Sequence, residues 1–219
     1  MIKPRRWACV GIMALSVLLV TGCLFRPANP NQITYRLPTQ ITVAVGHEIP
    51  GTTIRFESMG EQGAYLRIQG QQALKRKGDS VNWKGNPLPG VAVELKLRVA
   101  WYTAEELYLV GTAKVVVDEI HPQMAKIETL SPIKYSGPVI YNVNKGATIP
   151  GATWTYEGRT EEGAKLGGIE GYPYRAVGDS IFWEGKLRER VYIRLDLRAL
   201  QFDDKGLRVG GIVTVWLGP

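Results

Sequence analysis

Hydrophobic and polar residues alternate with a period of two along several stretches of this chain. Val91, Val93, Leu95, Leu97 and Val99 fall on one side of an extended backbone, and Glu94, Lys96 and Arg98 fall on the other. That is the pattern of a strand with one buried and one wet face. It returns at Val191, Ile193, Leu195 and Leu197, set against Tyr192, Arg194, Asp196 and Arg198. Each run meets a polar interruption, at 103–106 and at 203–206. A second alternating run follows: Leu107, Leu109, Ala113, Val115 and Val117 in one case, Leu207, Val209, Val213, Val215 and Leu217 in the other. Each pair of runs predicts a long β-hairpin. Shorter alternating runs lie near 40–45, 52–57, 64–69 and 80–84, separated by Pro-Gly, Gly-Glu-Gln-Gly and Gly-Asp turns.

The recurrence extends over whole modules. A shift of 100 positions aligns 33–117 with 133–217 without a gap and gives 26 identities over those 85 positions, far more than unrelated segments share. Ile49-Pro50-Gly51 matches Ile149-Pro150-Gly151, Gly78-Asp79-Ser80 matches Gly178-Asp179-Ser180, and Trp83 and Gly85 match Trp183 and Gly185. About six strands per copy, and no convincing helical stretch, predict an all-β protein of two tandem homologous modules, each an antiparallel β-sandwich or small barrel. The expected boundaries are module 1 at 33–117, a linker at 118–132 and module 2 at 133–219. Within the linker, 125–130 is compatible with a helical turn or with part of a strand.

The first 32 residues read differently. Residues 1–6 are basic and 7–20 are apolar without a charge, the layout of an export signal. The apolar run is too short for a bilayer span of about twenty residues. Val20-Thr21-Gly22-Cys23 then resembles the lipobox of bacterial lipoproteins: a branched apolar residue, two small ones and a cysteine. The resemblance covers this segment alone and implies cleavage after Gly22, with lipid attached to Cys23. Acyl chains there would hold the protein to a membrane at about 0.8 kcal/mol per buried CH₂. Residues 1–22 are thus expected to be a signal peptide and 23–32 a lipidated tether, with Pro27 and Pro30 favouring extended chain. In the lipoprotein class an Asp after the cysteine often retains the protein at the inner membrane. Leu24 stands here, which points to the outer membrane where the host has two. Cys9 would leave with the signal, so the mature chain would hold one cysteine and no internal disulfide.

Charge along the sequence gives no support to one class of partner. The chain carries a formal charge of +7, but loss of residues 1–22 removes Lys3, Arg5 and Arg6, leaving 24 basic against 20 acidic residues with no run longer than Lys75-Arg76-Lys77. Nucleic-acid binding calls for a clustered basic excess and is not expected.

Candidate chemistry is sparse. Gly-Asp-Ser occurs in serine esterases, which makes Ser80 and Ser180 enzyme candidates. A serine nucleophile needs a base, and the two histidines, His47 and His121, do not recur with the tripeptide. The tripeptide reads better as a turn entering a strand. Two histidines and no free cysteine cannot supply a zinc set, and Glu105-Glu106, Glu161-Glu162 and Asp203-Asp204 lack calcium-loop spacing. Neither metal nor cofactor is expected, and the carboxylates repeated at Glu57, Glu61, Glu157 and Glu161 are not assigned as a glycosidase pair, because duplication preserves scaffolding as readily as function. Aromatic residues are the remaining candidates. Trp83 and Trp183 read as core anchors. Tyr172-Pro173-Tyr174 replaces Gln72-Ala73-Leu74 of the first copy and could make a stacking surface, together with Trp101 and Trp154 if those rings are exposed.

The sequence thus reads as a non-catalytic cell-envelope lipoprotein whose tandem modules bind or scaffold an extracytoplasmic protein. A glycan- or wall-binding lipoprotein is the alternative, and a serine esterase the third reading. The anchor is directly testable: Cys23→Ala should abolish metabolic acyl labelling and release the protein from the membrane fraction, whereas labelling that persists would refute the lipobox.

Overall fold

A computed structural model describes residues 31–127 and 131–218. The expected signal peptide, Cys23 and nearly all of the tether lie outside those residues, as does part of 125–130. The described chain is all-β, in antiparallel sheets that do not close into a barrel. Among the described residues no helix is long and apolar enough to cross a membrane.

In the first copy the strands are β1 (Gln32–Ala44), β2 (Arg55–Gly60), β3 (Gly63–Ile68), β4 (Gln71–Lys75), β5 (Ser80–Leu88), β6 (Val91–Tyr102) and β7 (Glu106–Asp118). They form a four-stranded sheet in the order β1-β7-β6-β5 and a three-stranded sheet β2-β3-β4. A two-residue strand β8 (Gln123–Met124) follows. The second copy then repeats the plan with β9 (Ile133–Asn144), β10 (Thr155–Thr160), β11 (Gly163–Gly167), β12 (Tyr174–Arg175), β13 (Ser180–Arg188), β14 (Val191–Phe202) and β15 (Gly206–Leu217). Its sheets run β8-β13-β14-β15-β9 and β10-β11-β12.

The alternation predicted for the hairpins holds residue by residue. Val91, Val93, Leu95, Leu97 and Val99 are buried, as are Val191, Ile193, Leu195, Leu197 and Ala199. Each copy has seven strands rather than about six. The strand beginning near 40 starts instead at Gln32, because Ile33, Tyr35 and Leu37 already alternate inward. Pro38 interrupts that stretch in the sequence but is tolerated on a sheet edge, where it has no ladder bond to donate. The polar pair Gln71-Gln72 gave no strand signal. It pairs with Ile68 and Arg67 through a tight hairpin.

Residues 123–127 run along the second module's large sheet. Gln123 and Met124 pair with Lys186 and Gly185 on the outer edge of β13. Beyond them Ile127 N–H donates to Glu184 Oε1 at 2.7 Å, and Glu184 also binds Arg194 at 2.7 Å. Burial opposes ionisation of Glu184, but the Ile127 N–H and Arg194 outweigh it and hold the carboxyl below its ordinary range.

The two copies pack reciprocally. Edge strands β1 and β9 lie against each other without sharing a ladder. A methyl group added at Gly51 would meet Ile133 Cδ1 at 3.0 Å, and one added at the equivalent Gly151 would meet Ile33 Cδ1 at 3.3 Å. Both glycines have φ near +80°, so the turn and the close approach each select glycine. At the middle of the contact, a Cβ on Gly137 would sit 2.8 Å from Pro38 Cδ and 3.2 Å from Leu37 Cδ2. Leu37 and Gly137 are equivalent positions: one large and one absent side chain fill a space that two leucines would overfill. The buried residues of both copies consequently form one continuous cluster. Arg188, from the second copy, adds a strut by donating to the carbonyl of Asp118 at 2.7 Å.

This contact buries Tyr35 and, on the opposing strand, half-buries Tyr141 with its hydroxyl enclosed. Their hydroxyls are close enough to couple, yet neither meets hydrogen-bond geometry with any described atom. Burial first, and the Tyr141 hydroxyl second, push Tyr35 well above the ordinary phenol value; burial pushes Tyr141 and Tyr135 up to about 12. The fold therefore favours the neutral phenols. Stability should be fully present below the unfolded-state pKa of about 10 and fall as pH rises from there towards 12. Urea unfolding at pH 8 and pH 11 should show that loss in the parent chain and a smaller one in Tyr35→Phe/Tyr141→Phe. An equal loss in both proteins would show that these phenols do not govern alkaline stability.

Candidate binding faces

The Gly-Asp-Ser tripeptides behave as turns. Gly78 and Gly178 take φ of 90° and 93°. Asp79 Oδ2 accepts the Arg76 N–H at 2.8 Å and Asp179 Oδ2 accepts the Ala176 N–H at 2.7 Å. The carboxylates are thus engaged in shaping the entries to β5 and β13, while Ser80 and Ser180 sit exposed at the strand starts. Among the described residues, no group of three or more His, Cys, Asp or Glu could hold a metal ion.

The aromatic candidates separate. Trp183 is buried, with Nε1 donating to Thr153 Oγ1 at 3.2 Å, and Trp83 is half-buried in the equivalent place. Each ring lies over the glycine two residues on, Gly85 or Gly185, where a Cβ would collide with it. Trp154 is a correction: it is 7 % exposed and offers no face to a ligand. Its partner in the first copy is the fully buried Ile54, so the position points inward in both modules. Trp101 is 57 % exposed and stacks on Tyr102 with 18° between the rings. Tyr172 is 67 % exposed, but it meets Tyr174 edge-on at 68°, so the pair does not make a flat platform. The β1/β9 junction is flanked by a cleft of about 660 Å³ lined by Ile33, Ile120, Pro122 and residues 148–153, without a charged side chain.

The informative surfaces are the outer faces of the two large sheets, whose residues lie far apart in the sequence and meet only through strand register. In the first copy, register places three consecutive rows across β1, β7, β6 and β5: Arg36-Lys114-Glu94-Lys84, then Pro38-Thr112-Lys96-Asn82, then Gln40-Val110-Arg98-Ser80. Five cations share these three rows with one carboxylate. Glu94 bonds Lys96 at 3.1 Å, and that contact, with Lys114 and Lys84 nearby, lowers its pKa. At the ends of the same face, Asp118 accepts from Gln32 and Glu106 from the Tyr108 hydroxyl.

In the second copy the equivalent rows are Ser136-Thr214-Arg194-Glu184, then Pro138-Ile212-Asp196-Phe182, then Ile140-Gly210-Arg198-Ser180. Charges here balance two against two, and apolar groups replace polar ones. Phe182 stands for Asn82, Ile212 for Thr112 and Ile140 for Gln40, with Leu200 for Ala100 in the bulge of β14. These four side chains are 52 %, 47 %, 58 % and 44 % exposed. Leu200 and Ile140 converge over Gly210, where a Cβ would touch Leu200 Cδ1 at 2.9 Å. The divergence lies at the outward positions of the aligned copies, whose inward positions stay apolar.

No protein-family model matches this chain, and neither a curated protein nor a solved structure resembles it.

The turn reading has a direct test. Asp79→Ala and Asp179→Ala should each cost about 1 kcal/mol by removing a side-chain acceptor from a backbone N–H, whereas Ser80→Ala and Ser180→Ala should change stability by less than about 0.5 kcal/mol. Urea midpoints decide it; serine variants as costly as the aspartates would contradict the assignment.

Proposed function

We propose that this protein is a non-catalytic cell-envelope lipoprotein, held to the outer face of a membrane through Cys23, whose tandem β modules bind an extracytoplasmic protein partner. In a host with two membranes it sits on the outer one. The observation that carries the binding role is the apolar outer face of the second module. Phe182, Ile212, Ile140 and Leu200 are large side chains on one solvent-facing sheet surface, at positions where the first copy has Asn82, Thr112, Gln40 and Ala100. Stability of the fold does not call for them there, because the first module folds on the same plan with three polar residues and the small Ala100 in their place. Exposed apolar patches rimmed by charge, here Arg194, Asp196 and Arg198, suit protein contacts, in which a few aromatic and aliphatic anchors carry most of the affinity.

A glycan-binding role draws less support. Stacking on sugars calls for open, roughly coplanar rings, and Tyr172 and Tyr174 stand edge-on. An esterase role at Ser80 or Ser180 is disfavoured by the use of both neighbouring aspartates in turn formation.

Among the described residues the fifteen strands lie between Gln32 and Leu217, so soluble 24–219 retains every described element. Incubated with fractionated envelope, it should retain a defined protein. Phe182→Asp/Ile212→Asp should reduce that retention at least thirtyfold, as expected when residues worth about 2 kcal/mol are lost. Retention on wall polysaccharide, lost in Tyr172→Ala/Tyr174→Ala and not in the sheet variant, would establish the glycan reading in its place.

A further inference from the structure

We propose that the outer face of the first module's large sheet lies against the membrane itself, with Arg36, Lys84, Lys96, Arg98 and Lys114 contacting the phosphates of anionic lipids. The orientation rests on the anchor proposed above; the affinity of the face for anionic lipid does not.

Three observations carry it. The first is charge concentrated by register. The chain as a whole has a modest basic excess, yet five cations and one carboxylate occupy three adjacent rows at the centre of one sheet face, with Asp118 and Glu106 only at its ends; the same central rows of the second module balance, and its further cations Lys134, Lys186 and Arg208 stand in the outlying rows. Arg36, Lys84, Lys96 and Arg98 are exposed and Lys114 is half-buried, so the charged heads point away from the core. A stable fold has no use for such like-charge crowding: facing Lys and Arg repel across adjacent strands, and one glutamate offsets only part of it.

The second is Trp101. It follows the bulge in β6, pairs with Tyr108 and ends the next row of the same face, after Thr42. It is 57 % exposed, with Lys77 Nζ 5.2 Å from the ring centroid. Gln201 and Arg208 stand at these places in the second module. An exposed tryptophan beside lysine suits the headgroup region, where its ring meets the acyl boundary and its N–H stays wet.

The third is chain length. Eight residues lie between Cys23 and Gln32, nine Cα steps with a reach of at most about 30 Å. A lipid on Cys23 therefore keeps β1, the edge strand that carries Arg36, close to the bilayer, while the second module connects only through the first.

The test uses unlipidated 24–219, so that its outcome is independent of acylation. The chain should float with vesicles of phosphatidylcholine containing 30 % phosphatidylglycerol in 0.1 M salt, and not with pure phosphatidylcholine. Binding should vanish in 0.5 M salt, as screening shortens the range of the field. Each cation near an anionic surface contributes about a fivefold factor in partitioning, so Lys84→Gln/Lys96→Gln/Lys114→Gln should weaken binding about a hundredfold. The control Lys145→Gln/Lys165→Gln/Lys205→Gln, in the second module, should leave it within a few-fold. Trp101 emission should shift to the blue on binding, and Trp101→Phe should remove that shift; an unchanged thermal midpoint confirms that the variants are folded. Equal flotation with neutral vesicles, an unaffected Lys84/Lys96/Lys114 variant, complete displacement by millimolar inorganic phosphate, or tighter binding to a single-stranded oligonucleotide than to the anionic vesicles would each overturn the proposal.

Discussion

The packing of β1 against β9 is the contact on which the rest of the structure depends. Each is the open edge of its own sheet, and an open edge presents unpaired N–H and C=O groups that invite aggregation. Here the two edges cover one another by side-chain packing. Pro38 and Pro138 stand near the middle of the two strands and have no N–H to offer a ladder, and Gly137 gives way to Leu37 and Pro38. The reciprocal insertion of Ile33 and Ile133 at Gly151 and Gly51 then makes one core of two. A small β module buries a limited fraction of its surface and is marginal alone; a shared core is the physical reason for two copies to stay together.

With the inner faces committed to that core, the outer faces were free to diverge. A strand's two faces are chemically independent because neighbouring residues point in opposite directions, so Asn82 and Phe182, or Thr112 and Ile212, differ without disturbing Val81, Ile181, Ala113 or Val213 beneath them. One copy keeps a cationic face ending in Trp101, the other an apolar face around Gly210. We read these as separate tasks, lipid contact and protein contact, on one scaffold. Residues 123–127 reinforce the asymmetry: through β8 and Glu184 they cover the β13 edge of the second module.

Much of this was legible in the sequence. Inward alternation placed β6, β7, β14 and β15 almost residue for residue, and Gly-Asp-Ser announced its turns, because both signals are local. The Trp-x-Gly repeat likewise had a local cause, a ring lying over its neighbouring glycine. What the sequence left open was non-local. Nothing in β1 says which strand lies beside it, so the meeting of Tyr35 with Tyr141 came only from the fold. Trp154 was misjudged as a possible exposed ring because the short approach to β10 carries too few residues to show a period, although its alignment with Ile54 held the answer. The cationic face escaped notice for a related reason: Arg36, Lys84, Lys96, Arg98 and Lys114 are scattered over 79 positions of sequence and become neighbours only through strand register.

The central claim is that equivalent faces of the duplicated module meet different surroundings. Its most direct test is to place one environment-sensitive fluorophore at Thr112→Cys or at Ile212→Cys, equivalent outward positions, in the full-length protein in native membranes, and to add lipids that quench on contact. The account predicts strong quenching at position 112 and little at 212, where bound protein should exclude lipid. Equal quenching at both positions would contradict the division of the two faces between lipid and protein.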